Sequence, residues 1–77
     1  DSVGRELDFV IVRNGKPMLA VECKAGEQKL GRNIAYFAER TSIPRFYQVH
    51  TGHKDYELPA VRARVLPMTA MARELAI

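Results

Sequence analysis

An Asn-Gly pair between two apolar runs is the feature that most restricts how this chain can fold. Residues 7–12 and 18–24 are mainly apolar and contain the β-branched and aromatic residues typical of strands. Asn14-Gly15 lies between these two runs, and this dipeptide favours a tight β-hairpin turn because both residues tolerate a positive backbone φ. The first two strands are therefore predicted to be antiparallel neighbours.

The remaining sequence predicts a strand, helix and strand unit followed by a further strand and helix. The predicted elements are a helix from Glu27 or Gln28 to Arg40, a strand from Arg45 to His50, an edge strand between Pro59 and Leu66, and a helix from about Thr69. The apolar face predicted for the first helix consists of Leu30, Ile34, Phe37 and Ala38. A strand, helix and strand crossover makes its two strands parallel, so the prediction is an α/β fold with a mixed sheet in the order β-β-α-β-β-α.

The bulk composition predicts one small domain spanning residues 1–77. Twelve basic residues against nine acidic ones give a net charge of +3, which is compatible with a polyanionic partner. No apolar run approaches the roughly 20 residues that span a bilayer, so no membrane partner is expected. The single cysteine excludes an internal disulfide framework, which favours a cytoplasmic location.

The register of the hairpin decides which charged side chains share a face. A three-residue loop with a bulge at Gly15 pairs Val12 with Lys16, and it places Asp8 on the face of Glu22 and Lys24. The alternative two-residue loop would mix Asp8 into the apolar face. We therefore predict the bulged turn. The opposite face would then be almost wholly apolar, consisting of Leu7, Phe9, Ile11, Leu19, Val21 and a buried thiol at Cys23.

Two carboxylates and one ammonium group at one end of a strand pair predict a metal site. Asp8 and Glu22 are the predicted ligands of Mg²⁺ or Mn²⁺, because a hard cation binds through one or two carboxylates and retains water. The backbone carbonyl of Cys23 is a further candidate ligand. Lys24 would position an attacking water or stabilise charge on a phosphate.

Two segments carry a resemblance to a known family. Gly4 to Val10, followed after the hairpin by Leu19 to Lys24, resembles motifs two and three of the PD-(D/E)xK nuclease superfamily. More closely, the chain resembles the nuclease-like C-terminal domain of prokaryotic AAA-type ATPases. The resemblance implies a restriction-endonuclease-like fold, Asp8 and Glu22 as metal ligands, Lys24 as the catalytic lysine, and DNA phosphodiesters as the substrate.

The resemblance also implies that the chain is the C-terminal part of a longer protein and is truncated at its N-terminus. The superfamily core usually starts with a helix that bears a glutamate and with another strand, and the chain contains neither. The partners expected on this basis are an ATPase domain of the same protein and DNA. The sheet face of Val10, Val12 and Ala20 would lack a cover, so self-association through that face is expected.

Two other functions are also compatible with the sequence. The first is a non-catalytic accessory or interaction module of an ATPase, with the charged cluster as a remnant. The second is a small nucleic-acid binder without metal, in which Lys29, Arg32 and Arg40 contact the phosphate backbone of DNA. Gln48 is interpreted as an ordinary strand residue. His50 and His53 lack the cysteine partners of a zinc site.

Overall fold

A computed structural model describes residues 7–75, which form a five-stranded sheet with one helix on each face. The strands are β1 (Phe9–Arg13), β2 (Lys16–Cys23), β3 (Phe46–His50), β4 (Tyr56–Leu58) and β5 (Ala63–Pro67), and the helices are α1 (Arg32–Arg40) and α2 (Met68–Leu75). A single 3-10 turn, Pro59–Val61, connects β4 to β5. Between residues 7 and 75, no helix has the length and apolar character needed to cross a membrane.

The strand order in the sheet is β1-β2-β3-β5-β4. β2, β3 and β5 run parallel to one another, while β1 and β4 are antiparallel to their neighbours. This mixed arrangement confirms the predicted α/β class and the parallel pairing of the second and third strands. All five residues of β3 are buried, as expected for the central strand of a sheet that is covered on both faces.

Two apolar clusters fill the space between the sheet and its helices. The cluster on the α1 side contains Ala20, Ile34, Ala38, Ile43, Phe46 and Ala63. The cluster on the α2 side contains Val21, Tyr47, Val49, Leu66, Ala70 and Met71. Neighbouring residues along β2 and β3 alternate between the two clusters, because successive side chains of a strand point to opposite faces. The α1 side is the face that bears Glu22.

The strand predicted between Pro59 and Leu66 is present as β5, but its predicted position at an edge of the sheet is wrong. The first residues of the segment form the 3-10 turn, and Arg62 at the end of that turn has a left-handed backbone with φ of 56°. The strand that follows, β5, lies inside the sheet between β3 and β4. The short strand β4 forms the edge instead, in a segment that contains no proline. The element order is thus β-β-α-β-β-β-α.

The predicted three-residue turn is also wrong, although the register that it was meant to produce is present. Asn14 and Gly15 both have positive φ, and Arg13 pairs with Lys16, so the loop has two residues. A bulge between Ile11 and Val12 then shifts the pairing by one residue. Phe9 therefore lies opposite Val21, which is the register predicted to place Asp8 on the face of Glu22 and Lys24. The bulge within the strand pair therefore sets the register, rather than the length of the turn.

The predicted start of the first helix at Glu27 or Gln28 is wrong, because α1 begins at Arg32. The segment from Glu27 to Gly31 has no helical hydrogen bonds, and the side chain of Gln48 binds its backbone instead. Leu30 still packs, partly buried, against the α1-side cluster. The helical face that it was predicted to share is otherwise present, since Ile34 and Ala38 are buried.

β1 is more exposed than the sequence predicts. Phe9, Val10, Ile11 and Val12 are 39–57% exposed, so both faces of this strand lie open on the described part of the protein. Ala20, by contrast, is fully buried under α1, so the prediction that it shares an uncovered face is wrong. β1 is an edge strand that neither helix covers.

The opposite edge, β4, is held by bidentate ion pairs. Arg45 donates to both carboxylate oxygens of Glu57 at 2.8 and 2.7 Å, and Arg64 donates to both oxygens of Asp55 at 2.9 and 2.8 Å. The hydrogen bonds from Arg64 lower the pKa of Asp55, and those from Arg45 lower the pKa of Glu57. These pairs fix β4 and the loop that precedes it to the sheet.

The lowered pKa of Asp55 predicts a specific loss of stability in acid. A carboxylate whose pKa is lower in the folded protein stabilises it above the ordinary value of about 3.9, and this stabilisation is lost as the pH falls through the folded pKa. Thermal unfolding measured from neutral pH down to pH ~3 should therefore show a smaller acid-induced fall in Tm for Asp55→Asn than for the unchanged protein. Glu39→Gln, which alters an exposed helix residue, is the control. Equal acid sensitivity of Asp55→Asn and the unchanged protein would contradict the prediction.

Candidate functional site

Glu22 is a nearly buried carboxylate at the end of β2, on the α1 side of the sheet. It is 6% exposed. Its Oε1 accepts a hydrogen bond from Asn33 Nδ2 at 3.1 Å and lies 3.4 Å from Lys24 Nζ. Its Oε2 is buried and has no hydrogen-bond partner among the described residues. A buried carboxylate oxygen without a partner is costly, so this atom has the character of an available ligand.

Gln48 supports Glu22 from the neighbouring strand. The two residues are paired in the parallel register of β2 and β3, and Gln48 is fully buried. Its amide oxygen accepts a hydrogen bond from Gly31 N at 2.7 Å, and its amide nitrogen donates to the carbonyl oxygens of Gln28 and Lys29 at 3.3 and 3.1 Å. One side chain therefore fixes the loop that closes over the site.

Gly31 lies at the closest approach of this loop to the site. A β-carbon added at this position would lie 3.3 Å from Glu22 Oε2, 3.4 Å from Gln48 Oε1 and 3.4 Å from Lys24 Cε. A larger residue would thus crowd the unpaired oxygen. Glycine here leaves room beside Glu22 Oε2, immediately before α1 begins.

Asp8 lies before the first residue of β1, at a bend in the chain. Its backbone N–H donates to the carbonyl of Val21 at 3.1 Å, and its Oδ2 accepts a hydrogen bond from the backbone N–H of Cys23 at 2.6 Å. Leu7, predicted on the opposite face, packs against the α1-side cluster. The carboxylate of Asp8 is thus held by the backbone N–H of Cys23, the residue between Glu22 and Lys24.

Cys23 is exposed, so the prediction of a buried core thiol is wrong. β1 ends its pairing before this position, and neither helix covers it. Partial desolvation raises the pKa of the Cys23 thiol, and the negative charges of Asp8 and Glu22 raise it further. Both carboxylates therefore lie close enough to Cys23 to act on its thiol. The thiol stays protonated at neutral pH and is a poor nucleophile.

The basic residues predicted to contact DNA are not gathered in one place. Lys29 lies in the loop fixed by Gln48, and Arg32 is the exposed first residue of α1, next to Gly31. Arg40 lies at the other end of α1, about 12 Å along the helix axis from Arg32. Its guanidinium group stacks on Tyr36 with 4.0 Å to the ring centroid and contacts Glu39. Only Lys29 and Arg32 lie beside the candidate site.

Comparison with known proteins identifies the family of the chain. The family model of the domain of unknown function DUF4143 matches residues 1–71. The chain belongs to the DUF4143 family. No curated protein and no solved structure matches it. The function of this DUF4143 domain is therefore a proposal, which draws on the resemblance of its motifs to the nuclease superfamily.

Sequence reasoning missed three residues that shape the site of this DUF4143 domain. Gln48, interpreted as an ordinary strand residue, is fully buried and holds the loop. Asn33 and Gly31 were not singled out, yet the first binds Glu22 and the second sets the space beside it. A polar residue within an otherwise apolar central strand was the signal available for Gln48, since a buried amide needs partners.

The oxygen atoms of this site in the DUF4143 domain are of the kind that hold a hard cation. Among residues 7–75, no three His, Cys, Asp or Glu side chains are grouped as a metal cluster. The available donors are Glu22 Oε2, the carboxylate of Asp8 and the backbone around Cys23. This set suits Mg²⁺ or Mn²⁺, which bind through one or two carboxylates and water, better than a cation that needs a complete protein cage.

Proposed function

We propose that this domain is a divalent-metal-dependent nuclease-like domain that hydrolyses phosphodiesters of DNA. The observation that carries the proposal is the buried Oε2 of Glu22, which has no hydrogen-bond partner among the described residues, while Oε1 of the same carboxylate lies 3.4 Å from Lys24 Nζ. The resemblance of the Asp8 and Glu22 to Lys24 segments to PD-(D/E)xK motifs supports the same function. A bound Mg²⁺ or Mn²⁺ would coordinate the Glu22 oxygen that the described residues leave without a hydrogen-bond partner.

The residues of the site have distinct roles in this proposal. Glu22 and Asp8 would hold the metal, with the backbone carbonyl of Cys23 as a further oxygen ligand. The metal, when bound, would polarise a phosphoryl oxygen and lower the pKa of a bound water. Lys24 is the catalytic lysine in this proposal: its ammonium group is partly exposed, with a side chain 26% accessible, and is free to meet a phosphate while remaining near Glu22.

Asn33 and Gln48 are positioning residues in this proposal. Asn33 holds Oε1 of Glu22, so that Oε2 is the oxygen left for a ligand. Gln48 fixes the loop at Gly31, where the absence of a side chain leaves space beside that oxygen. Neither residue needs to touch the substrate.

The wider context of the domain is part of the proposal. The likeness to the C-terminal domain of prokaryotic AAA-type ATPases supports an ATPase domain of the same protein as the partner, in the cytoplasm. The exposed apolar strand β1 favours the second candidate function, an interaction module that uses this open edge to pair with a second copy of the chain. Sedimentation showing a monomer at high concentration would count against that second function.

Cleavage of DNA by matched variants tests the proposed hydrolysis. The purified protein is incubated with supercoiled and linear DNA in Mg²⁺, in Mn²⁺ and in a chelator. We expect metal-dependent cleavage that Lys24→Met reduces by about 10²-fold or more, as for loss of one charge-stabilising group. Glu39→Gln, on the exposed face of α1, should cleave at the unchanged rate. DNA left intact under all conditions, or equal cleavage by Lys24→Met, would contradict the proposal.

A further inference from the structure

A cavity of about 190 Å³ lies next to the candidate site, between the loop that follows β2 and the segment that leads into β4. The residues that line it are Glu27, Gln28, Lys29, Lys54 and Tyr56. Gln28 and Lys29 are the residues whose carbonyl oxygens bind Gln48, so one wall of the cavity is fixed to the centre of the sheet.

The second wall is fixed by His50 and Glu27. His50 is buried, and its ring binds the carbonyl of Lys54 at 2.7 Å and the N–H of Gly52 at 2.9 Å. Glu27 Oε2 accepts hydrogen bonds from the backbone N–H groups of His53 and Lys54. A β-carbon at Gly52 would overlap the Glu27 side chain, so the two loops are packed directly against each other. The cavity is thus enclosed by two loops that hydrogen bonds hold in place.

The charges around the cavity favour an anion. Neither Lys29 nor Lys54 forms an ion pair with any of residues 7–75. The one acidic residue of the lining, Glu27, uses its carboxylate on two backbone N–H groups, and these bonds lower its pKa. Two ammonium groups with no ion-pair partner among the described residues lie beside a carboxylate that is already engaged, and this leaves net positive potential at the cavity mouth.

Tyr56 adds an aromatic surface to these charges. It is the first residue of β4 and is 36% exposed, although it lies on the wall of the cavity. A partly exposed ring beside unpaired lysines is the combination by which proteins bind single-stranded nucleic acid, with phosphates on the cations and an unpaired base on the ring. A duplex cannot offer its stacked bases to such a ring.

We propose that this cavity is a subsite for single-stranded nucleic acid, in which Lys29 and Lys54 bind a phosphate and Tyr56 stacks on an unpaired base. The inference deepens the proposed function, since it supplies the strand on which the Glu22 site would act. Lys29 is two residues from Gly31, so their Cα atoms lie within about 7.6 Å of each other. Adjacent phosphates of one strand can therefore occupy the cavity and the space beside Glu22.

Binding of a fluorescent oligothymidylate in a chelator, measured by anisotropy at several salt concentrations, tests the subsite without any metal. We expect Lys29→Gln with Lys54→Gln to weaken binding by about tenfold or more and to lower the salt slope by about 0.7, because the two lysines bind one phosphate and each phosphate contact on a single strand contributes about 0.7. Tyr56→Leu should weaken binding by about tenfold, and Tyr56→Phe should retain it.

The control removes the same charge elsewhere. Arg13→Gln with Lys16→Gln, on the β1–β2 hairpin, should leave the affinity within about twofold. An equal loss for the hairpin and cavity variants would overturn the subsite, as would unchanged binding by Tyr56→Leu. The binding assay contains a chelator, so its result does not depend on the metal site. Failure of the proposed hydrolysis would therefore leave this result standing, and failure of the subsite would leave metal-dependent cleavage standing.

Discussion

Replacing Gln48 with methionine is expected to destabilise the domain by roughly 2–4 kcal/mol, since it leaves three buried or part-buried backbone groups without a partner. The groups are the N–H of Gly31 and the carbonyls of Gln28 and Lys29. Methionine preserves the length and volume of the side chain, so the packing around this fully buried position is retained. Urea unfolding measures the loss as a lower midpoint at an unchanged slope.

Two further variants separate the hydrogen bonds of Gln48 from its volume. Gln28→Met, at an exposed position of the same loop, should change stability by no more than about 0.5 kcal/mol. Gln48→Glu keeps an acceptor for Gly31 but places a carboxylate against two carbonyl oxygens, which raises its pKa in the folded protein. Such a group stabilises when protonated, so Gln48→Glu should gain stability relative to the unchanged protein as the pH falls. A stability of Gln48→Met equal to that of Gln28→Met would contradict this role.

Replacing Arg62 with methionine is expected to cost about 2 kcal/mol, and hence to lower Tm by roughly 8–16 °C. The guanidinium group donates to the carbonyls of Ile43, Ala38 and Thr41 at 3.0, 3.0 and 3.3 Å. These bonds satisfy carbonyls at and beyond the end of α1, which have no partner within the helix. They also connect the helix to the turn before β5. The cation lies 5.7 Å from the ring centroid of Phe46.

The left-handed backbone of Arg62 provides an internal control. Because φ is 56° at this position, Arg62→Gly should be more stable than Arg62→Ala by about 1 kcal/mol, although both lose the same hydrogen bonds. Arg13→Met, on the exposed hairpin, should leave Tm nearly unchanged. Thermal unfolding of the four variants is the measurement. If Arg62→Met had the same Tm as Arg13→Met, the three hydrogen bonds would contribute nothing to stability.

The sequence predicted the sheet well where periodicity and turn chemistry act locally. The hairpin, the parallel pairing of β2 with β3 and the inward face of α1 follow from apolar alternation, from Asn14-Gly15 and from helical spacing. The errors arose where a tertiary contact overrides local preference. Gln48 holds residues 28–31 out of the helix, and a bulge at Met18, opposite Ile11 and Val12, sets the register rather than the turn.

The site was only partly predictable for the same reason. Glu22 and Lys24 were identified because a carboxylate and an ammonium end an otherwise apolar strand, and they lie together at 3.4 Å. Asp8 was assigned to a regular strand, whereas the chain bends there and its carboxylate binds the backbone of Cys23. The partners that define Glu22, namely Asn33, Gly31 and Gln48, are 9 to 26 residues away in sequence and carry no shared motif.

Paramagnetic broadening by Mn²⁺ tests the central claim most directly, because it locates a bound ion without requiring catalysis. In ¹H–¹⁵N spectra, the amide signals of Cys23 and Gly31 should be the first to disappear as Mn²⁺ is added. Glu22→Gln should abolish the effect, while Glu39→Gln should leave it intact. If those amides kept their intensity at metal concentrations that broaden the rest of the surface, or if Glu22→Gln broadened like the unchanged protein, the metal site would be contradicted.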